Sequence, residues 1–232
     1  MGPAASQATR GYNAAVDLIE RNLDAGRGEK IAIRDDAGTH SYRALAERVD
    51  RFANVLRAKG IAPEQRILVC LLDTIDFPTV FLGAIKAGVV PVAVNTLLKP
   101  ADYDYMLRDS RARMLVVSEA LLASFAPIIH SLTSLEFIIV SGRDAQGHAL
   151  LDEQMAAVGP KARAAATTRD DACFWLYSSG STGAPKGTVH VHSSLIQTAE
   201  LYAEPVLGIR EDDVVFSAAK LFFAYGLGNA LT

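Results

Sequence analysis

Apolar residues in this chain fall into short unbroken blocks separated by longer amphipathic stretches. The blocks at 67–72, 89–94, 114–117, 137–140 and 172–177 are strand-length and rich in aliphatic residues. Blocks of this kind, without polar alternation, predict strands buried on both faces of a sheet. Between them the period changes. Leu45, Val49, Phe52, Ala53 and Leu56 recur at helical spacing, with Glu47 four residues before Arg51 and Gly60 just past the end. Asp76 is placed to cap a further helix, with Pro78 in its first turn and Gly88 beyond its last. Pro100 opens a helix over 101–109, and others are predicted over 119–131, over 151–158, and from a Ser193 or Ser194 cap to about 203.

A small hairpin is predicted near the start, with 31–33 and 40–42 joined by a turn at 35–38. Pro91 lacks an N–H, which points 89–94 to a sheet edge. Residues 214–217 also read as a strand. Strands separated by helices predict an α/β fold, a mostly parallel sheet with helices on both faces. Periodicity fades over 141–171. The predicted division is therefore an N-terminal arm at 1–26, an α/β subdomain at 27–165, and a loop hairpin at 166–232 that begins a second α/β subdomain. The chain stops on Gly226, Gly228 and Asn229 in mid-pattern, which predicts a fragment of a longer protein.

Composition narrows the partners. Of 232 residues, 50% are hydrophobic and 21% charged, with net charge −3 and both signs scattered. No basic stripe marks a nucleic-acid surface. No apolar run approaches the roughly 20 residues of a membrane span. The first thirteen residues have no apolar core of a leader peptide. Cys70 and Cys173 lie inside apolar blocks and read as buried reduced thiols. These features predict a cytoplasmic protein. His190 and His192 have no carboxylate or thiol partners at metal-ligand spacing.

The chemistry concentrates in Tyr177-Ser178-Ser179-Gly180-Ser181-Thr182-Gly183-Ala184-Pro185-Lys186-Gly187. Small residues let backbone N–H groups approach an anion, hydroxyls add donors, and one lysine adds charge. The spacing is not that of a P-loop opening a helix: Pro185 stands where the second glycine belongs, and Gly187 follows the lysine. The β-branched run at 188–192 predicts a second strand, so the loop joins two strands. A flexible Ser/Gly linker is the plainer reading of the same composition.

With its Pro-Lys-Gly ending, the pattern resembles the phosphate loop of the adenylate-forming enzymes, the family of acyl-CoA synthetases, luciferases and peptide-synthetase adenylation domains. That resemblance implies the incomplete N-terminal part of an adenylate-forming domain. It implies that Ser178, Ser179, Gly180, Ser181, Thr182, Gly183 and Lys186 cradle the β- and γ-phosphates of ATP. A second segment, Phe222-Phe223-Ala224-Tyr225-Gly226, resembles the family's Phe-His-x-x-Gly wall of the acyl pocket, with Phe223 in place of the histidine. The implied substrate contacts are Phe223, Ala224, Tyr225 and Gly226; on composition alone the segment also fits a hydrophobic core.

The run 220–230, with Pro91-Val92-Ala93-Val94-Asn95-Thr96, looks most like members acting on an aryl carboxylic acid. The implied reaction joins such an acid to AMP and then to coenzyme A, with ATP, Mg2+ and coenzyme A as cofactors. The family's magnesium-binding, ribose-binding and catalytic-lysine positions are expected beyond Thr232. The fragment alone is therefore expected to be inactive, and Lys186 is not that catalytic lysine. A fatty-acyl or other acid:CoA ligase and a non-catalytic nucleotide-binding module are the alternative readings.

Overall fold

A computed structural model describes residues 11–178 and 184–232. The chain opens with helix α1 (Ala14–Asp24), whose N-terminus is capped by Asn13, the side chain accepting from the Ala15 N–H at 3.2 Å. Strands β1 (Ile31–Asp35) and β2 (Gly38–Ser41) form an antiparallel hairpin. Helix α2 (Tyr42–Ala58) follows, its buried stripe being the predicted Leu45, Val49, Phe52, Ala53 and Leu56.

A seven-stranded sheet organises the rest. Its strands are β3 (Arg66–Cys70), β4 (Val90–Ala93), β5 (Met114–Ser118), β6 (Phe137–Ser141), β7 (Ala149–Leu150), β8 (Ala172–Ser178) and β9 (Lys186–Val191). The order is β7-β6-β5-β3-β4-β8-β9, parallel throughout except for the antiparallel β8–β9 pair. The mostly parallel α/β architecture is thus as the strand–helix alternation predicts.

Alternate strand residues feed two cores. Ile67, Val69, Val116 and Ile139 join α1, α2, helix α3 (Asp76–Lys86) and helix α5 (Leu151–Ala156) on one face. Leu68, Cys70, Leu115, Val117 and Val140 join helix α4 (Pro100–Ser110) on the other, through Tyr103, Met106 and Leu107. Helices therefore cover both faces.

Several local expectations need correction. Residues 119–131 form two short tight turns, Glu119–Ser124 and Ile129–Ser131, instead of one helix. Pro127 lies between them and supplies no N–H to continue the ladder. Asp76 does not cap α3; the Thr74 hydroxyl accepts its N–H at 3.4 Å, and the Asp76 carboxylate turns to Arg48 and to Ser141 Oγ. Helix α6 (Ser193–Thr198) gives way to wider turns over Ala199–Leu207 that contain Pro205, and Ser194 Oγ bonds Val191 N–H instead of capping. Residues 214–217 form no strand, and Phe216 is 89% exposed. A strand needs a neighbour, and none pairs with it among the described residues.

Pro91 is not at an edge either. Val90 and Val94 donate to Gln65 and Val69 of the β3 side. The intervening Pro91 nitrogen therefore faces β8, where pairing begins only at Val92. The missing N–H costs no ladder bond, so a proline sits in an interior strand.

Candidate active site

The loop predicted to hold phosphate does join two strands. Six register pairs bind β8 to β9, and the last, Ser178 with Lys186, closes the base of the loop. Ser179, Gly180, Ser181, Thr182 and Gly183 lie outside the described residues. Ser178 and Lys186 are both exposed at the carboxyl end of β8. In open parallel sheets that edge is where ligands bind, because the loops leaving the strands converge there.

Gly187, next to the lysine, lies tightly against the side chains of β8. A Cβ there would lie 3.2 Å from Trp175 Cε3 and 3.6 Å from the Tyr177 ring. The two aromatic side chains of β8 thus cross the glycine of the neighbouring strand. Tyr177 donates its hydroxyl to Asp109 Oδ2 at 2.6 Å, with the Met106 carbonyl 3.4 Å away. Burial, then the hydrogen bond to Asp109, pushes the Tyr177 phenol well above its ordinary range.

The other side of the hairpin is anchored by histidines. His190 stacks flat on Phe174, ring centroids 4.5 Å apart. His192, directly after β9, is 1% exposed, and its Nδ1 accepts from the Ala14 N–H at 3.1 Å. Burial, opposed by Asp171, pushes the His192 imidazolium down to about 4.

The predicted pocket wall lies at the start of helix α7 (Ala224–Ala230). Phe223 and Tyr225 are 49% and 73% exposed, Ala224 is exposed, and Phe222 is buried in the core with its ring 4.4 Å from that of Phe223. Gly226 is buried, and a Cβ there would stand 2.1 Å from the Lys220 carbonyl oxygen. No side chain other than hydrogen fits this crossing. Asp73, beyond the carboxyl end of β3, holds the approach to the wall: it pairs with Lys220 at 3.3 Å and accepts the Leu221 N–H at 3.1 Å. Both candidate segments therefore hang from the carboxyl edge of the same sheet. Helix α6, which follows the hairpin directly, connects them; Thr198 Cγ2 would be 3.2 Å from a Cβ on Gly228 of α7.

A cleft of about 470 Å3 runs between the β1–β2 hairpin, Asp73, Thr74 and residues 215–221. Phe223 and Tyr225 do not line it. Among the described residues no group of three or more carboxylate, imidazole or thiol side chains could hold a metal ion. No described helix is long and apolar enough to cross a membrane.

Sequence reasoning gave no role to Asp109 or to the bond that His192 makes. Asp109 carried one signal: a carboxylate in the last turn of a helix opposes the helix dipole and calls for a partner. His192 carried none, because its partner is a backbone group 178 residues away.

A mostly parallel sheet covered on both faces and ending in an antiparallel strand pair defines an α/β domain. The chain belongs to the AMP-binding enzyme family, which it matches over residues 19–232. It is 60% identical to a benzoate–CoA ligase of Thauera aromatica over 99% of this chain and 43% of that protein. It is 48% identical to a 4-hydroxybenzoate–CoA/benzoate–CoA ligase of Rhodopseudomonas palustris, over 96% of this chain and 41% of the relative. Among solved structures, a benzoate CoA ligase from Burkholderia xenovorans LB400 superposes with TM-score 0.86 at 51% identity, over 94% of this chain and 42% of that one. An anthranilate CoA ligase in complex with anthranoyl-AMP superposes with TM-score 0.90 at 36% identity, over 97% and 42%. The chain thus spans about two fifths of the length of these relatives.

Proposed function

We propose that this chain supplies the phosphate-binding hairpin and one wall of the acyl pocket of an aryl-acid:CoA ligase acting on benzoate. The observation that supports the reading is the Ser178–Lys186 pair, which brings the two ends of the segment 179–185 together at the carboxyl end of β8. The identity to ligases named for benzoate favours an aryl acid over a fatty acid.

In the proposed reaction a carboxylate oxygen of the acid attacks the α-phosphorus of ATP. The bond from that phosphorus to the β-bridging oxygen breaks, and pyrophosphate leaves with the electron pair. The thiolate of coenzyme A then attacks the acyl carbon and AMP departs. The first step brings one anion to another, so charge on the triphosphate must be offset where it develops. Lys186 and the hydroxyls of Ser178, Ser179, Ser181 and Thr182 would do this, with loop N–H groups directed at the β- and γ-phosphates. Phe223, Ala224, Tyr225 and Gly226 would hold the ring flat. Mg2+ would enter with the triphosphate; no residue described here is assigned to it or to coenzyme A. ATP and coenzyme A as substrates, with Cys70 and Cys173 both free and buried, favour the cytoplasm.

The test is a substrate panel on a chain of the relatives' length. Benzoate and small amino- or fluorobenzoates are expected to exceed octanoate and palmitate in kcat/KM. Ala224→Leu is expected to cost activity on the larger aryl acids first, since misfit in such a pocket costs about 1–3 kcal/mol per methylene. Higher kcat/KM on octanoate or palmitate overturns the aryl reading in favour of a fatty-acyl ligase. ATP binding without acid-dependent pyrophosphate release would leave a nucleotide-binding module.

A further inference from the structure

Tyr177 is the next-to-last residue of β8, one position before the strand ends at Ser178, and it does more than fill space. Its hydroxyl reaches across to the last turn of α4, onto Asp109. A second tie runs beside the first: the Arg66 guanidinium lies 5.8 Å from the centre of the Trp175 ring, and Arg66 Nε donates to the Ser110 carbonyl at 2.6 Å. Trp175 and Tyr177 both lie against the core that α4 covers. Across the hairpin both rings meet Gly187, whose neighbour is Lys186. One contact chain therefore runs from the carboxyl end of α4 through two aromatic rings to the lysine strand.

Asp109 is the telling member. It is exposed, it sits where the negative end of the helix dipole disfavours a carboxylate, and no basic side chain pairs with it among the described residues. Neither helix stability nor a salt bridge explains it; a short hydrogen bond from Tyr177 does.

We infer that Tyr177 and Asp109 are positioning residues for the nucleotide: their bond fixes the foot of the loop, and so the placement of Ser178 and Lys186, before ATP arrives. Neither residue touches substrate. Fixing Ser178 and Lys186 in advance spares part of the ordering cost of binding. The inference rests on reading 179–183 as a phosphate loop, and its test separates the two.

The experiment has two arms. In a chain of the relatives' length, Tyr177→Phe and Asp109→Ala are each expected to raise KM for ATP about fivefold, the worth of one hydrogen bond. KM for the aryl acid stays unchanged, and the melting temperature falls by no more than the loss of one hydrogen bond gives. The double variant is expected to be no worse than either single one, because both remove the same bond. Asp109→Asn, which keeps an acceptor, is expected to recover part of the loss.

In the 232-residue chain, hydrogen exchange of amides 176–178 and 186–188 is expected to quicken in both single variants while the other sheet amides hold. Unchanged exchange at those amides overturns the clamp whatever the kinetics show. Faster exchange with no ATP-dependent activity in the parent supports the clamp and removes the ligase reading instead. Faster exchange with an unchanged KM for ATP overturns the positioning role.

Discussion

His192 offers a prediction that needs no substrate. It is 1% exposed and uses Nδ1 to accept the N–H of Ala14, the first residue of α1. That N–H is one of the donors a helix start leaves without a partner, so the imidazole acts as a cap from a distant part of the chain. A protonated ring cannot accept there, and its charge would face the positive end of a helix dipole. Both effects agree with the depression of His192 from 6.5 to about 4 by burial.

In the unfolded chain the ring returns to about 6.5, so between that value and about 4 the unfolded state binds the extra proton. Stability is then full above pH 6.5 and declines as pH falls towards 4. From pH 7 to pH 5 the loss from this residue is about 2 kcal/mol. The substitution to make is His192→Asn, whose Oδ1 can take the place of Nδ1 without titrating. Urea unfolding at pH 7 and pH 5 would be followed by the fluorescence of Trp175, the single tryptophan. The wild-type chain is expected to lose about 2 kcal/mol more than the variant between the two pH values. His190, also lowered by burial, is common to both proteins and cancels. Asp35, lowered from 3.8, acts below this window. Equal losses in the two proteins would refute the capping argument.

Three further outcomes follow from packing. Phe81 is fully buried between Phe77 and Phe174, centroids 5.7 and 5.3 Å away, so Phe81→Ala is expected to cost about 3–5 kcal/mol in urea unfolding. Gly226→Ala places a methyl group on the Lys220 carbonyl, and proteolysis is expected to open residues 217–225 while the sheet core stays resistant. Burial raises both thiols, Cys70 to about 12, so neither is expected to react with iodoacetamide at pH 8 until urea is added.

The sheet was legible because buried parallel strands are written as unbroken aliphatic blocks, and 67–72 and 114–117 match β3 and β5 closely. Helix α2 was legible for the same kind of reason: its stripe is local and periodic. What failed depended on partners. Whether Pro91 belongs to an edge turns on which strand its nitrogen faces, which the sequence does not state. Residues 214–217 have strand composition, but composition supplies no neighbour. Asp76 had the chemistry of a cap and spends it on Arg48 and Ser141, brought close only by the fold. The motif at 177–187 stands out because its composition is unusual over consecutive residues. Its supports at Asp109 and Ala14 lie 68 and 178 residues from the groups they bind.

The proline in β4 has a mechanical consequence. Because Pro91 offers nothing to β8, the seam between β4 and β8 is two residue pairs long, whereas β8 and β9 share six. The hairpin is thus stitched to itself more firmly than to the sheet that carries it. What holds β8 to its neighbour is therefore packing more than ladder bonds: Cys173, Phe174 and Leu176 are buried in the core, and the Phe174 ring lies 5.3 Å from that of Phe81. The proline thus shifts the join between β4 and β8 from backbone to side chains, so that it depends on the fit of the core.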